Sequence, residues 1–288
     1  MLHDFWKNSP TPNIRTNDVF YRRQLSFHAF NAYVLSDSSA FIYTYNETIA
    51  KRGSDDVRTM LLDFCVHLSE RVQHLDLFCD GCGGQNKNWT VIRFLYYLVH
   101  IAERFVTITI HFPVRGHSYM ECDMDMSRVD QKAKVELPSE WNQVIQQARK
   151  SPKPFNVIPM TGERFYKFGE ALKPQFRATC PFPTRPVRIL KVSRDKPMLI
   201  LHRDKWQGEF NTSPVVRGRR KGNKNNLTGP VTLESGYTQP LPLSKPKFQD
   251  LQVLKRFISP AKQAFYDELT HDGSVPDDVE NIGTLADV

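Results

Sequence analysis

The clearest pattern lies in the first half of the chain. Residues 24–34 and 40–46 are aromatic and β-branched, and the Ser36-Asp37-Ser38-Ser39 turn between them predicts a β-hairpin. Ser54 reads as an N-cap, with Asp55 and Asp56 favoured in the first turn by the helix dipole. Val57, Met60, Leu61, Phe64, Cys65 and Leu68 then recur at helical spacing, an amphipathic helix with one apolar stripe. Residues 74–79 predict a short strand ending at Asp80. Asn88 predicts the cap of a second helix reaching about Arg104, apolar on most sides and therefore sandwiched. Residues 105–112 alternate Val106, Ile108, Ile110 and Phe112, a half-buried strand. Hairpin, helix, strand, helix, strand is an α/β order with a mixed sheet flanked by helices.

The second half is punctuated by Pro152, Pro154, Pro159, Pro174, Pro181, Pro183 and Pro186, which predict extended, irregular chain. Beyond it, residues 248–258 and a helix capped by Ser259-Pro260 and running to about Leu269 predict a helical pair. The expected organisation is an α/β core over residues 1–150, a basic Pro-rich region over 151–270, and a disordered acidic tail over 271–288.

Charge changes this picture locally. The net charge is +8, which favours an anionic partner. Residues 185–224 hold twelve Lys and Arg against Asp195, Asp204 and Glu209, whereas the tail carries acids and no base. No apolar run approaches the roughly 18 residues of a membrane span, and no basic-then-apolar signal sequence opens the chain. Five cysteines in so long a chain fit a reducing compartment, nuclear or cytoplasmic rather than secreted. Nothing marks a membrane partner or a small-molecule substrate.

Two segments carry candidate chemistry. In Cys79-Asp80-Gly81-Cys82-Gly83-Gly84-Gln85-Asn86-Lys87-Asn88 an acid at a strand end is followed by a glycine-rich turn, amides and a helix start. Strand ends are where open α/β sheets place ligands, and the glycines permit close backbone approach. The competing reading is a tight turn whose Asp80 caps local amides. The second segment, Gly116-His117-Ser118-Tyr119-Met120-Glu121-Cys122-Asp123-Met124-Asp125, follows the next strand. Converging carboxylates repel unless a cation sits between them, and oxygen ligands suit Mg²⁺ or Mn²⁺. The plainer reading of Asp123 and Asp125 is a solvated loop. Cys79 and Cys82, with His117 and Cys122, offer a rival zinc site, although the glycines fit a turn without metal. Arg217, Arg219, Arg220, Lys221 and Lys224 form a basic cluster suited to gripping phosphates or directing nuclear import. Trp89, Trp141 and Trp206 read as packing residues.

Residues 21–27 (Tyr21-Arg22-Arg23-Gln24-Leu25-Ser26-Phe27), residues 45–54, the Asp80 segment with Gly83, Gly84, Gln85 and Asn86, and Gly116-His117-Ser118 together resemble one family. It is the transposable-element-derived domain of unknown function found in many animal genomes, often downstream of a zinc-finger or helix-turn-helix region. Pro242-Leu243-Ser244, residues 247–251 and Phe265-Tyr266 look like its C-terminal end. The resemblance implies a ribonuclease-H-like core of the transposase and integrase type, using three acids and divalent metal on DNA. The acids it points to are Asp4, Asp80 and Asp123, with Asp125 competing for the third place and Glu47 a weaker fourth candidate. It leaves open an oligomer, and a non-catalytic remnant that binds DNA or protein. Only Met1, Leu2 and His3 precede Asp4, so the expectation is an N-terminally truncated or decayed copy whose first strand is incompletely built.

Overall fold

The computed structural model describes residues 1–113, 121–216 and 231–277. In chain order its first half forms β1 (Leu2–Phe5), β2 (Ser9–Thr11), β3 (Leu25–Val34), β4 (Ser39–Asn46), α1 (Ser54–His67), β5 (His74–Phe78), α2 (Trp89–His100) and β6 (Thr107–His111). There follow α3 (Glu121–Ser127), α4 (Glu140–Ala148), β7 (Asn156–Pro159), α5 (Phe168–Leu172), β8 (Ile189–Ser193), β9 (Leu199–Arg203) and β10 (Asn211–Pro214). The last elements are β11 (Leu243–Ser244), α6 (Lys245–Leu254), α7 (Gln263–Asp267) and β12 (His271–Asp272). The fold is mixed α/β: among the described residues ten strands lie in mixed sheet flanked by helices, and β11 pairs with β12. None of these helices is long and apolar enough to cross a membrane.

The chain divides into two compact units. The first comprises Met1–Asp4, Arg52–Met120 and Arg164–Gly236, the second Phe5–Lys51, Glu121–Glu163 and Tyr237–Val288.

In the first unit β1, β5 and β6 run parallel, with Leu2 opposite Phe78 and Phe78 opposite His111. The helical crossover through α2 is what a parallel β5–β6 pair requires. From β6 the sheet continues antiparallel through β8, β9 and β10. The predicted stripe of α1 is the buried one, with Val57, Met60 and Phe64 fully covered. Its cap lies one residue earlier than expected. Gly53 is extended and donates its N–H to the Asp56 carboxylate at 2.8 Å, so the acid three residues on closes the helix start. Ser54 instead donates its hydroxyl to Asn88 Oδ1 at 3.1 Å. Asn88 caps α2 as expected, accepting from the Val91 N–H at 3.1 Å, and α2 is buried on nearly every side from Val91 to Val99. It stops at His100 rather than near Arg104, and just beyond it Glu103 takes a left-handed conformation (φ 50).

The proline-rich stretch departs from the expectation of irregular chain. Proline interrupts a strand only where its ring and missing N–H fall inside the ladder. Here Pro159 falls at the last residue of β7 and no proline lies in α5, so both elements form inside the run.

In the second unit β3 and β4 form the predicted hairpin, Val34 opposite Ser39 and Phe27 opposite Asn46. β2 pairs with β3, and β7 runs parallel to β4. Residues 121–127, expected as a loop, form α3. Ser244 caps α6, its hydroxyl accepting from the Lys247 N–H at 3.4 Å. The expected second helix of the C-terminal pair is a 3₁₀ turn, Pro260–Lys262, followed by the short α7. Ile14, Leu25, Leu243, Leu251, Ile258 and Tyr266 join these pieces in one apolar cluster.

Candidate functional site

The site is built in the first unit, where β1 and β5 end. Leu2 on β1 is the register partner of Phe78 on β5, and Asp4 and Asp80 each follow that pair by two residues. The N-terminal amine anchors β1 by donating to the Asp76 carbonyl at 2.8 Å, and the Phe78 N–H donates to the Met1 carbonyl at 2.9 Å. His3, on the opposite face, is fully buried and held neutral; burial and then the Arg58 charge push its imidazole down to about 3. Cys79 is also buried. Burial first, then the charge of Asp80, pushes its thiol well up; Arg58 opposes this and Asp4 reinforces it. The Cys79 thiol therefore stays a neutral, unreactive group.

The glycine-rich turn is held internally. Asp80 Oδ1 accepts from Asn86 Nδ2 at 2.7 Å and from the Cys82 N–H at 3.2 Å. Asn88 Nδ2 donates to the Gly83 carbonyl at 2.9 Å. Arg58, wholly buried on α1, donates to the Gln85 carbonyl at 2.6 Å and to Ser54 Oγ at 3.0 Å. Its pKa is brought down to about 10 by burial. Asp80 thus caps local amides within its own turn, just past the end of β5.

Gly83 and Gly84 are exposed, and a Cβ added at either would meet nothing within 4 Å. The fold itself does not demand glycine at these positions. What their bareness preserves is access, because a cleft of about 560 Å³ opens there, lined by Gly81, Gly83, Lys87, Pro113, Thr184, Arg185 and Arg188. Lys87 is buried, with its ammonium donating to the Arg185 carbonyl at 2.7 Å and lying 4.9 Å from the centre of the Phe112 ring. Burial and then the nearby Arg188 charge lower its pKa. Cations brought together at the cost of mutual repulsion form a site for an anion. Neither Lys87 nor Arg188 stood out in the sequence. Arg58 was equally hidden, as a charged residue on the core side of an amphipathic helix.

The remaining candidates are dispersed. Asp123 is exposed on α3 of the second unit. Asp125, on the same helix, is buried, and its carboxylate accepts from Arg149 at 3.1 and 3.2 Å and from Asn31 Nδ2 at 3.2 Å. Glu47 accepts from the buried Lys247 ammonium at 2.8 and 2.9 Å and from the Ser26 N–H at 2.7 Å. Cys122 is buried in the second unit near the Asn31 carbonyl. Among the described residues no group of three or more His, Cys, Asp or Glu stands close enough to hold a metal ion, the Cys79, Cys82 and Cys122 set included. Oxygen donors in the Asp4–Asp80 arrangement fit a hard divalent cation, but they supply two acids rather than three. Gly116, His117, Arg217, Arg219, Arg220, Lys221 and Lys224 lie outside the described residues.

Fold and site together define a mixed α/β protein with a cationic cleft beside a glycine-rich turn. The chain belongs to the family described as domain of unknown function DUF7869, which it matches over residues 21–205. That span takes in Asp80, Lys87, Asp123, Arg185 and Arg188, while Asp4 precedes it. No curated protein and no solved structure matches the chain.

Proposed function

We propose that this protein is a transposase-derived nucleic-acid-processing domain that cleaves or transfers phosphodiesters with a divalent ion, Mg²⁺ or Mn²⁺. The observation that supports this reading is the parallel pairing of β1 with β5, since Asp4 and Asp80 each follow the Leu2–Phe78 pair by two residues. The order β1, hairpin, α1, β5, α2, β6 agrees with the ribonuclease-H-like core implied by the resemblance. Asp4 and Asp80 would hold the ion, which when bound would supply charge neutralisation at the phosphoryl oxygens. Asp125 is not a ligand in this reading, because its carboxylate is already bonded by Arg149 and Asn31. Lys87, Arg185 and Arg188 grip the phosphate backbone in the cleft.

A second reading, a remnant that binds nucleic acid without cutting it, is favoured by one feature: Asp80 Oδ1 already accepts two hydrogen bonds within its own turn. Asp80→Asn separates the two, since an amide oxygen still accepts from the Cys82 N–H. Mn²⁺ binding by calorimetry and nicking of supercoiled DNA should both be lost in Asp80→Asn, with DNA binding retained. DNA binding by the unaltered chain with neither metal uptake nor nicking would overturn catalysis and leave the binding remnant.

A further inference from the structure

Trp206 does not pack as its sequence context suggests. Trp6 and Trp141 are buried, but Trp206 is 43% exposed, in the loop after β9. Its ring is parallel to that of His111, with 6° between the planes and 6.5 Å between centroids. His111 in turn stacks on Phe78 at 4.5 Å and 12°. Phe78 and His111 are register partners on β5 and β6, so the sheet itself sets their spacing.

The ladder is held in place from both sides. His111 Nε2 lies 3.2 Å from Asp76 Oδ1, which fixes the imidazole plane. The Trp206 loop is tied back by Arg203, whose guanidinium donates to the Gly208 carbonyl at 2.7 Å and sits 4.5 Å from the centre of the Phe210 ring. Gly208 turns the loop at φ +106, a conformation strained for any other residue. These contacts restrain the loop backbone that carries the exposed indole, which lowers the ordering cost of binding.

We propose that Phe78, His111 and Trp206 form a stacking platform for unpaired nucleobases, so that the nucleic acid taken by this protein is single-stranded or locally opened. This deepens the nucleic-acid reading above and rests on it. Every base has a π-face, so stacking on aromatic rings is tolerant of sequence but requires the base to be out of its duplex. The platform adjoins the two other parts of the site along the chain. Phe78 is two residues before Asp80, and His111 is two before Pro113, which lines the cleft with Lys87, Arg185 and Arg188. The chain thus carries cations for the backbone and rings for the bases on neighbouring residues at the ends of β5 and β6, the combination that single-strand binding uses.

The test compares the full chain with Trp206→Ala and Trp206→Phe, binding a single-stranded oligonucleotide of about 15 nucleotides and its duplex in EDTA. The unaltered chain should prefer the single strand. Trp206→Ala should weaken single-strand binding by about five- to a hundredfold while leaving duplex binding unchanged, and Trp206→Phe should restore most of the loss. Indole fluorescence should be quenched by the single strand in the unaltered chain and far less in Trp206→Phe. Equal single-strand affinity for Trp206→Ala and the unaltered chain, with the oligonucleotide still bound, would overturn the platform alone. Failure of the unaltered chain to bind either oligonucleotide would overturn the platform together with the nucleic-acid reading.

Discussion

Asp123 and Asp125 sit two positions apart on α3, which puts them roughly 200° apart around the helix and gives them different surroundings. Asp123 faces solvent, whereas Asp125 is 3% exposed and meets the Arg149 guanidinium, itself buried. Burial pushes the Asp125 carboxyl up, against the pull of Arg149 and Asn31. Removing one partner of a buried pair leaves the other charged and unpaired, which typically costs about 3–5 kcal/mol. Asp125→Ala should therefore lower stability by about that much in urea titration, while Asp123→Asn should leave stability within about 0.5 kcal/mol. A stable Asp125→Ala protein would return Asp125 to the list of functional acids. Spacing in the sequence made both acids equal candidates; only the helix that turns one inward and one outward separates them, and a segment with Gly116 and His117 ahead of it read as loop.

At the scale of elements, the first half was legible because its signals are local. The hairpin turn, the apolar stripe of α1 and the Asn88 cap each lie within one or two turns of the residues they organise. The cleft was not legible, because Lys87, Arg185 and Arg188 come from segments about a hundred residues apart and meet only once β6 pairs with β8. The C-terminal elements show the same limit. Glu136 precedes α4, yet it is held by Ser259 at 2.7 Å and by Lys262 and Lys134, each at 2.9 Å. Burial pushes its carboxyl up, but these hydrogen bonds outweigh burial and hold it at about 2. An unfolded Glu titrates near about 4.3. The stabilisation is thus complete above that pH and disappears as the pH falls towards 2. Lys262 and Lys134 are partly exposed, so solvent screening limits the contribution to about 1–2 kcal/mol. Urea midpoints at about pH 5 and about pH 3 should fall less steeply for Lys262→Ala than for the unaltered chain. Parallel falls would mean that Glu136 is not held by Lys262.

For the whole molecule, the net charge of +8 says little until it is located. Residues 185–224 alone carry +9, so the rest of the chain is close to neutral, and two of their cations, Arg185 and Arg188, line the cleft. Each phosphate neutralised adds about 0.9 to the slope of log affinity against log salt for duplex DNA, and about 0.7 for a single strand. Arg185→Ala with Arg188→Ala should therefore flatten the slope by about 1–2. Changing Arg217, Arg219, Arg220 and Lys221 to Ala should flatten it by several units if those residues grip the backbone too. The two losses should add when both sets are combined if each set neutralises its own phosphates. A binding isotherm followed by anisotropy across salt concentrations checks all three variants. The outcome with most force is the cleft double variant. If its slope equals that of the unaltered chain, then no phosphate enters between Lys87, Arg185 and Arg188. The glycine-rich turn would then be left with its own hydrogen bonds as its whole reason for being, and the strand-end acids would have no substrate beside them.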